Sequence, residues 1–257
     1  MAAKDAPEQS LAVPSSIIVI EPEEEESGAQ SVEDFRRILS ACRALASEPA
    51  PNFESALASR KNFYIIGDSN LRDTYNMMRN DDRLRSYNAR FDFRGGRGAA
   101  HLAGLFSRCE GYKFIIILVG NNDVARFGFE RMIDFYRLFI DAFPSTTIVK
   151  VLQLLQRKDQ RSDYIDENGN VTTIVKAFNR KLKPALGDNY YPNFKVYPCH
   201  FNDNDPAHLL PVGRQMFFEQ ILHMMFSMTK QLFSVGYNFS CHRQLFKIFD
   251  LIFFAFL

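Results

Sequence analysis

Two short runs of this chain are apolar almost without a break, FYII at 63–66 and KFIIILV at 113–119. A strand with one face in water alternates apolar and polar residues, so unbroken runs of this length predict strands buried on both faces. TTIVKVLQLL at 146–155 and NFKVYPC at 193–199 are two further strand candidates. Helical periodicity predicts helices between and beyond them, at about 70–79, 98–107, 127–142, 171–186 and 210–230. Strands that alternate with helices in this way predict an α/β fold, three layers α/β/α around a mostly parallel central sheet. In such sheets the working residues stand on loops beyond the carboxyl ends of the strands. Gly67-Asp68-Ser69 follows the first run directly and Gly120-Asn121-Asn122-Asp123 follows the second.

The flanks read differently. Residues 1–34 hold nine acids and one lysine, a net of −8 that leaves +9 on the remainder. EPEEEESGAQ concentrates like charge that repels itself in a compact state, so residues 1–30 are expected to be a flexible acidic arm. Residues 31–60 are read as an amphipathic helix and a linker, with Val32, Phe35, Ile38, Leu39, Cys42 and Leu45 on one face and Ser31 as its cap. The main domain is expected at 61–232, followed by an apolar tail at 233–257. That tail, ending LFKIFDLIFFAFL, is interrupted by Lys247 and Asp250 and falls short of a spanning helix. Packing on the domain, peripheral membrane contact and a poorly folded end all stay open for it.

MAAKDAPEQS has neither the basic start nor the apolar run of a secretory signal, which leads to the expectation of an intracellular, cytoplasmic protein. Cys42, Cys109, Cys199 and Cys241 share no C-x-x-C spacing, and reduced thiols are expected. The basic residues at 157–161 (RKDQR) and 179–183 (NRKLK) form no long block with interleaved aromatics. They read as solvated surface and give no strong nucleic-acid signature.

A serine hydroxyl becomes a nucleophile when a neighbouring base accepts its proton, and the base works best when a carboxylate holds its tautomer. Ser69 stands at a strand end, after a small Gly67 and before a helix whose first amides would face it. Of the five histidines, His208 is the best base candidate, because Asp205 precedes it by three residues in DPAH. His200 with Asp203 is a weaker pair with the order reversed. Asn122 offers a side-chain amide to a developing oxyanion, and the loop RGGRG at 94–98 offers backbone amides. That loop is neither G-x-G-x-x-G nor a P-loop.

Together Gly67-Asp68-Ser69, the glycine loop at 95–98, Gly120-Asn121-Asn122-Asp123 and Asp205-Pro206-Ala207-His208 resemble the four ordered blocks of the GDSL, or SGNH, hydrolase family over about residues 61–228. From average composition their joint occurrence in this order is of order one in several thousand chains of this length. The resemblance implies an SGNH-hydrolase/flavodoxin-like sheet and a carboxylic ester hydrolase with Ser69 as nucleophile, His208 as base and Asp205 as its orienting acid. It assigns the oxyanion hole to Ser69, Gly98 and Asn122, with Gly96 as the alternative glycine. Asn179, in the helix VKAFNRKL, is similar to a packing feature of the family. Two departures stand out. Asn70 follows the serine where the family has leucine, and the glycine block lacks its usual Asn-x-Gly opening.

The substrates implied are small-molecule, lipid or acetylated-sugar esters. Arg97 and Leu209 are candidate substrate contacts, Arg97 for an acidic or phosphate-bearing group, against plainer readings as surface and packing residues. Phe127, Phe129, Met132 and Phe135 read as a buried helix face in preference to an acyl pocket. Asp68 and Asp123 are expected to hold local turns. Oxygen-rich DENGN at 166–170 and FNDNDP at 201–206 miss the calcium-loop pattern, and neither metal nor cofactor is expected. The competing reading is a non-catalytic binding or structural protein that keeps the fold, with a nucleic-acid accessory role in a mobile element as its remote variant.

Overall fold

The computed structural model describes residues 18–20, 28–46, 62–158, 164–166, 169–193 and 195–236. Most of the acidic arm, the linker after residue 46 and the tail beyond residue 236 lie outside them.

Six parallel strands form the sheet: β1 (Ile18–Ile20), β2 (Asn62–Gly67), β3 (Asn88–Phe93), β4 (Phe114–Leu118), β5 (Ile148–Leu152) and β8 (Tyr190–Tyr191). Their order is β1-β3-β2-β4-β5-β8. β6 (Tyr164–Ile165) and β7 (Val171–Thr172) make a separate antiparallel pair. Every residue of β2 and β4 is buried, as their unbroken apolar runs predict. Alternate side chains enter opposite cores. Tyr64, Ile66, Ile115 and Ile117 pack on one face, and Phe63, Ile65, Phe114 and Ile116 pack on the other. Each such side chain contributes about 1.5–3 kcal/mol through burial.

On the first face lie α1 (Val32–Ala46), α3 (Phe106–Cys109), α5 (Phe129–Asp141) and α6 (Ile174–Leu186). The second face is covered by α2 (Ser69–Met78) and α7 (Pro211–Gly236). Phe35 of α1 stacks on Phe135 of α5 with centroids 4.9 Å apart, which seats the amphipathic helix on the domain. Met132 and Phe135 are fully buried, and Phe127 and Phe129 pack against the same core, so this stripe is a buried helix face. The result is the expected three-layer α/β/α arrangement.

Local chemistry moves several boundaries. The helix expected at 127–142 is split: α4 (Val124–Phe127) ends at Gly128, whose φ of 77° only glycine adopts readily, and α5 starts after it. The segment 98–107 begins as a 3-10 helix, Ala99–Leu105, before α3. NFKVYPC is not a strand among the described residues. The Asn193 side chain accepts from Val196 N–H (3.1 Å) and donates to Val196 carbonyl oxygen (2.8 Å), closing a turn, and the strand is the pair of tyrosines just before it. β3, NARFDF, lacks an apolar run because it carries Arg90 and Asp92. Within the segment read as an arm, Ile18–Ile20 pair with Arg90–Asp92 of β3. α7 carries four residues past the expected domain end at 232.

β2 is the switch point of the sheet. The chain leaves it to form β3 on one side and later β4 on the other. The two crossovers diverge there, at the carboxyl end of β2, the position where such sheets place their sites, and Ser69 follows directly.

Candidate active site

Asp68 caps α2. Its carboxylate accepts the Asn70 N–H at 2.9 Å and spends one of the free amides of the first turn. Ser69 is therefore the first helical residue, half-buried at the rim. Its Oγ lies 2.9 Å from His208 Nε2, and His208 Nδ1 lies 2.7 Å from Asp205 Oδ2. This geometry sets the tautomer: Nδ1–H donates to the carboxylate, leaving the Nε2 lone pair to accept the serine proton. The loop that carries the pair is closed by His208 N–H donating to Asp205 carbonyl oxygen at 3.0 Å.

Asn70 grips that loop on both sides of His208. Its Nδ2 donates to Ala207 carbonyl oxygen (3.1 Å), and its Oδ1 accepts from Leu209 N–H (3.2 Å). Asn70 is 2% exposed. Asn70 is thus hydrogen-bonded to the residues before and after His208.

On the opposite side Gly120 opens the third block. Its φ is 134°, and a Cβ there would meet the Tyr136 hydroxyl at 2.1 Å. The same hydroxyl donates to Val119 carbonyl oxygen at 2.6 Å, so the turn after β4 is held from beneath. Asn122 stands exposed on that turn. Its Nδ2 is 3.5 Å from Arg97 carbonyl oxygen, beside the glycine block. Asp123 braces the glycine block as well, since its carboxylate accepts Ala100 N–H at 3.1 Å, and burial pushes that carboxyl up.

Three sequence candidates meet other contacts here. Gly98 N–H donates to His101 Nδ1 at 3.2 Å. Burial holds that imidazole below its usual value, so it is the neutral, accepting form. The Gly98 amide is thus engaged within its own turn. Arg97 is not a substrate contact. It is 1% exposed, and its Nη1 bonds the Asp92 carboxylate at 2.6 Å and Asp92 carbonyl oxygen at 3.1 Å, while Tyr64 donates to the same carboxylate at 2.6 Å. Asp92 on β3 provides the buried counter-charge that an interior guanidinium requires. Leu209 is also withdrawn from any ligand, at 2% exposure within the second core.

The remaining candidates separate from the site. His200 Nδ1 accepts from Tyr197 N–H at 3.1 Å, and Asp203 pairs with Lys158. Asp166 accepts Asn170 N–H and pairs with Arg180 at 2.6 Å. A cavity of about 240 Å³ lies against Asp166 and Arg180, with Phe129 and Tyr164, and contains none of the Ser69 constellation.

One site residue escapes sequence reasoning. Arg157, from the RKDQR run read as solvated surface, donates from Nη2 to Asn122 Oδ1 at 2.9 Å and lies 3.8 Å from the Asp68 carboxylate. Its side chain is only 12% exposed. Burial raises the Asp68 carboxyl, with Arg157 and the Asn70 N–H opposing that shift. No sequence signal separates Arg157 from the other charges of its run.

No protein-family model and no curated protein matches the chain. Among solved structures it is similar to a GDSL-like lipase from Bacteroides thetaiotaomicron, with a TM-score of 0.52 and 11% identity over 77% of this chain and all of the other. It is likewise similar to a candidate acylhydrolase from Bacteroides fragilis, with a TM-score of 0.52 and 15% identity over 73% of this chain and 94% of the other. At such identities the likeness is one of fold. The chain has the three-layer α/β/α fold, with a mostly parallel sheet, of the SGNH-hydrolase and flavodoxin-like class.

Proposed function

We propose that the chain is a serine hydrolase that cleaves an acyl or acetyl ester through a covalent acyl-enzyme. The observation that carries this reading is the Ser69–His208–Asp205 relay, with contacts of 2.9 and 2.7 Å, at the switch point of the sheet. His208 Nε2 takes the Ser69 proton as Oγ bonds the acyl carbon, and the imidazolium then returns that proton to the departing alcohol oxygen. Water, deprotonated by the same nitrogen, attacks the acyl carbon and releases the acid and Ser69. Charge on the carbonyl oxygen is met by Ser69 N–H, at the positive end of α2, and by Asn122 Nδ2. Asp205 stabilises the imidazolium without accepting its proton.

Lipid, acetylated-sugar and small acyl esters all suit this chemistry. A fluorophosphonate probe, which bonds only an activated serine, tests it. The parent protein should label and Ser69→Ala should not. A folded parent that stays unlabelled would move the chain to the non-catalytic reading.

A further inference from the structure

The chain beyond β5 crosses the rim at a built position. Asn179 on α6 accepts Leu154 N–H at 3.0 Å and donates to Leu154 carbonyl oxygen at 2.9 Å, as a neighbouring strand would. Asn121, in the third block, donates to Leu155 carbonyl oxygen at 2.6 Å. Two residues later comes Arg157, so its placement over the site follows from paired backbone groups, unlike that of a freely swinging surface arginine. The guanidinium is mostly withdrawn from water, and its Nε is fully buried without a hydrogen-bond partner among the described residues. A guanidinium held this way incurs a desolvation cost, which the Asp68 carboxylate at 3.8 Å offsets in part.

We propose that Arg157 is a positioning residue for the oxyanion hole, which fixes and polarises the Asn122 side chain so that its Nδ2 faces the developing negative charge. The proposal rests on the hydrolase reading. A side-chain amide has two nearly isosteric orientations, and only one presents N–H groups to a substrate oxygen. The Arg157 Nη2 contact at 2.9 Å engages Oδ1 and so selects that orientation. Nδ2 is left with only a 3.5 Å contact to Arg97 carbonyl oxygen, and its hydrogen-bonding capacity is therefore largely unspent. A charge on the acceptor side of the amide strengthens the donor side, since hydrogen bonds in a chain polarise one another. The arrangement matters more here because the Gly98 amide is spent on His101. With that donor occupied, Asn122 supplies the side-chain half of the hole, and its orientation is decisive.

The test uses the full chain and a fluorophosphonate, with the parent and Ser69→Ala as references. Removing an oxyanion donor outright costs about 10²–10³-fold, so Arg157→Met, which leaves the donor present but free to turn, should slow labelling by about 10–100-fold. The same variant should lower kcat for p-nitrophenyl acetate with KM little changed, and its melting temperature should stay close to the parent's. Millimolar ethylguanidinium should restore labelling several-fold in Arg157→Met and not in Ser69→Ala. A merely structural role would not produce that rescue. Labelling of Arg157→Met within twofold of the parent overturns the proposal, as does a loss that tracks melting temperature and ignores ethylguanidinium. Should Arg157→Met not fold, Arg157→Lys carries the test, because a shorter ammonium loses the Asn122 bond while keeping the charge. Slower labelling of a folded Arg157→Lys supports the proposal, and parental labelling overturns it. An unlabelled parent instead refutes the hydrolase reading and this inference with it.

Discussion

Asn70 ties the start of α2 to the loop that carries His208. Leucine at this position could only pack, whereas asparagine makes two hydrogen bonds to that loop, at 3.1 and 3.2 Å. Asn70→Leu leaves Ala207 carbonyl oxygen and Leu209 N–H without that partner, and buried groups left unpaired cost about 1–3 kcal/mol. The expected outcome is a melting temperature lowered by several degrees and a labelling rate reduced about tenfold or more, because His208 is then free to drift from Ser69. Parental labelling in a folded Asn70→Leu would show that the loop holds the base unaided. Ser69, Asp205 and His208 can be picked out of the sequence as candidates because activating a hydroxyl demands those residue types, and the fold brings the three together. Arg157 cannot, since a guanidinium in a polar run has the same composition whether it faces water or Asn122.

Among the elements, β5 and the segment after it illustrate how one side chain can stand in for a strand. Asn179 of α6 is 5% exposed and satisfies both backbone groups of Leu154. Asn179→Leu preserves the volume and leaves the Leu154 N–H and carbonyl orphaned, which predicts a loss of about 2–5 kcal/mol in chemical denaturation. It also predicts weaker labelling, since Asn121 and Arg157 depend on the same segment. Unchanged stability would mean that water replaces the amide. The long elements were readable because β2 and β4 bury both faces and the helices carry one apolar stripe. β3 was not, because Asp92 within it is neutralised by Arg97, five residues along and across the turn. The expected strand at 193–199 failed for a local reason, the Asn193 side chain competing for the backbone of Val196.

For the whole molecule the alkaline limb of stability has a defined sign. Tyr64 and Tyr136 are fully buried, and desolvation raises both phenols well above the ordinary value of 10, with Asp92 adding to the effect at Tyr64 and Asp123 at Tyr136. Above that value the unfolded chain releases these protons while the folded chain retains them. The folded state then binds more protons, and stability falls as pH rises. Each tyrosine should remove about 1.4 kcal/mol per pH unit once the ordinary value is passed. Urea midpoints measured from pH 8 to 11 should be level at first and then decline. Tyr136→Phe should reduce the slope of that decline, whatever its effect at pH 8, and an unaltered slope would assign the limb to other groups.

The sequence by itself determined the layer class, the positions of β2 and β4 and the amphipathic α1, and it singled out Ser69, Asn122, Asp205 and His208 as candidates. Each of these follows from local periodicity or from what the chemistry demands of a residue type. The tertiary structure decided which charges are interior. It placed Arg97 against Asp92 in the core, turned the Gly98 amide toward His101 and brought Arg157 to Asn122. Those outcomes depend on which distant groups fold to within about 3 Å of one another. A hydrogen bond or ion pair between strands leaves no period in the chain, so only the folded backbone could reveal it.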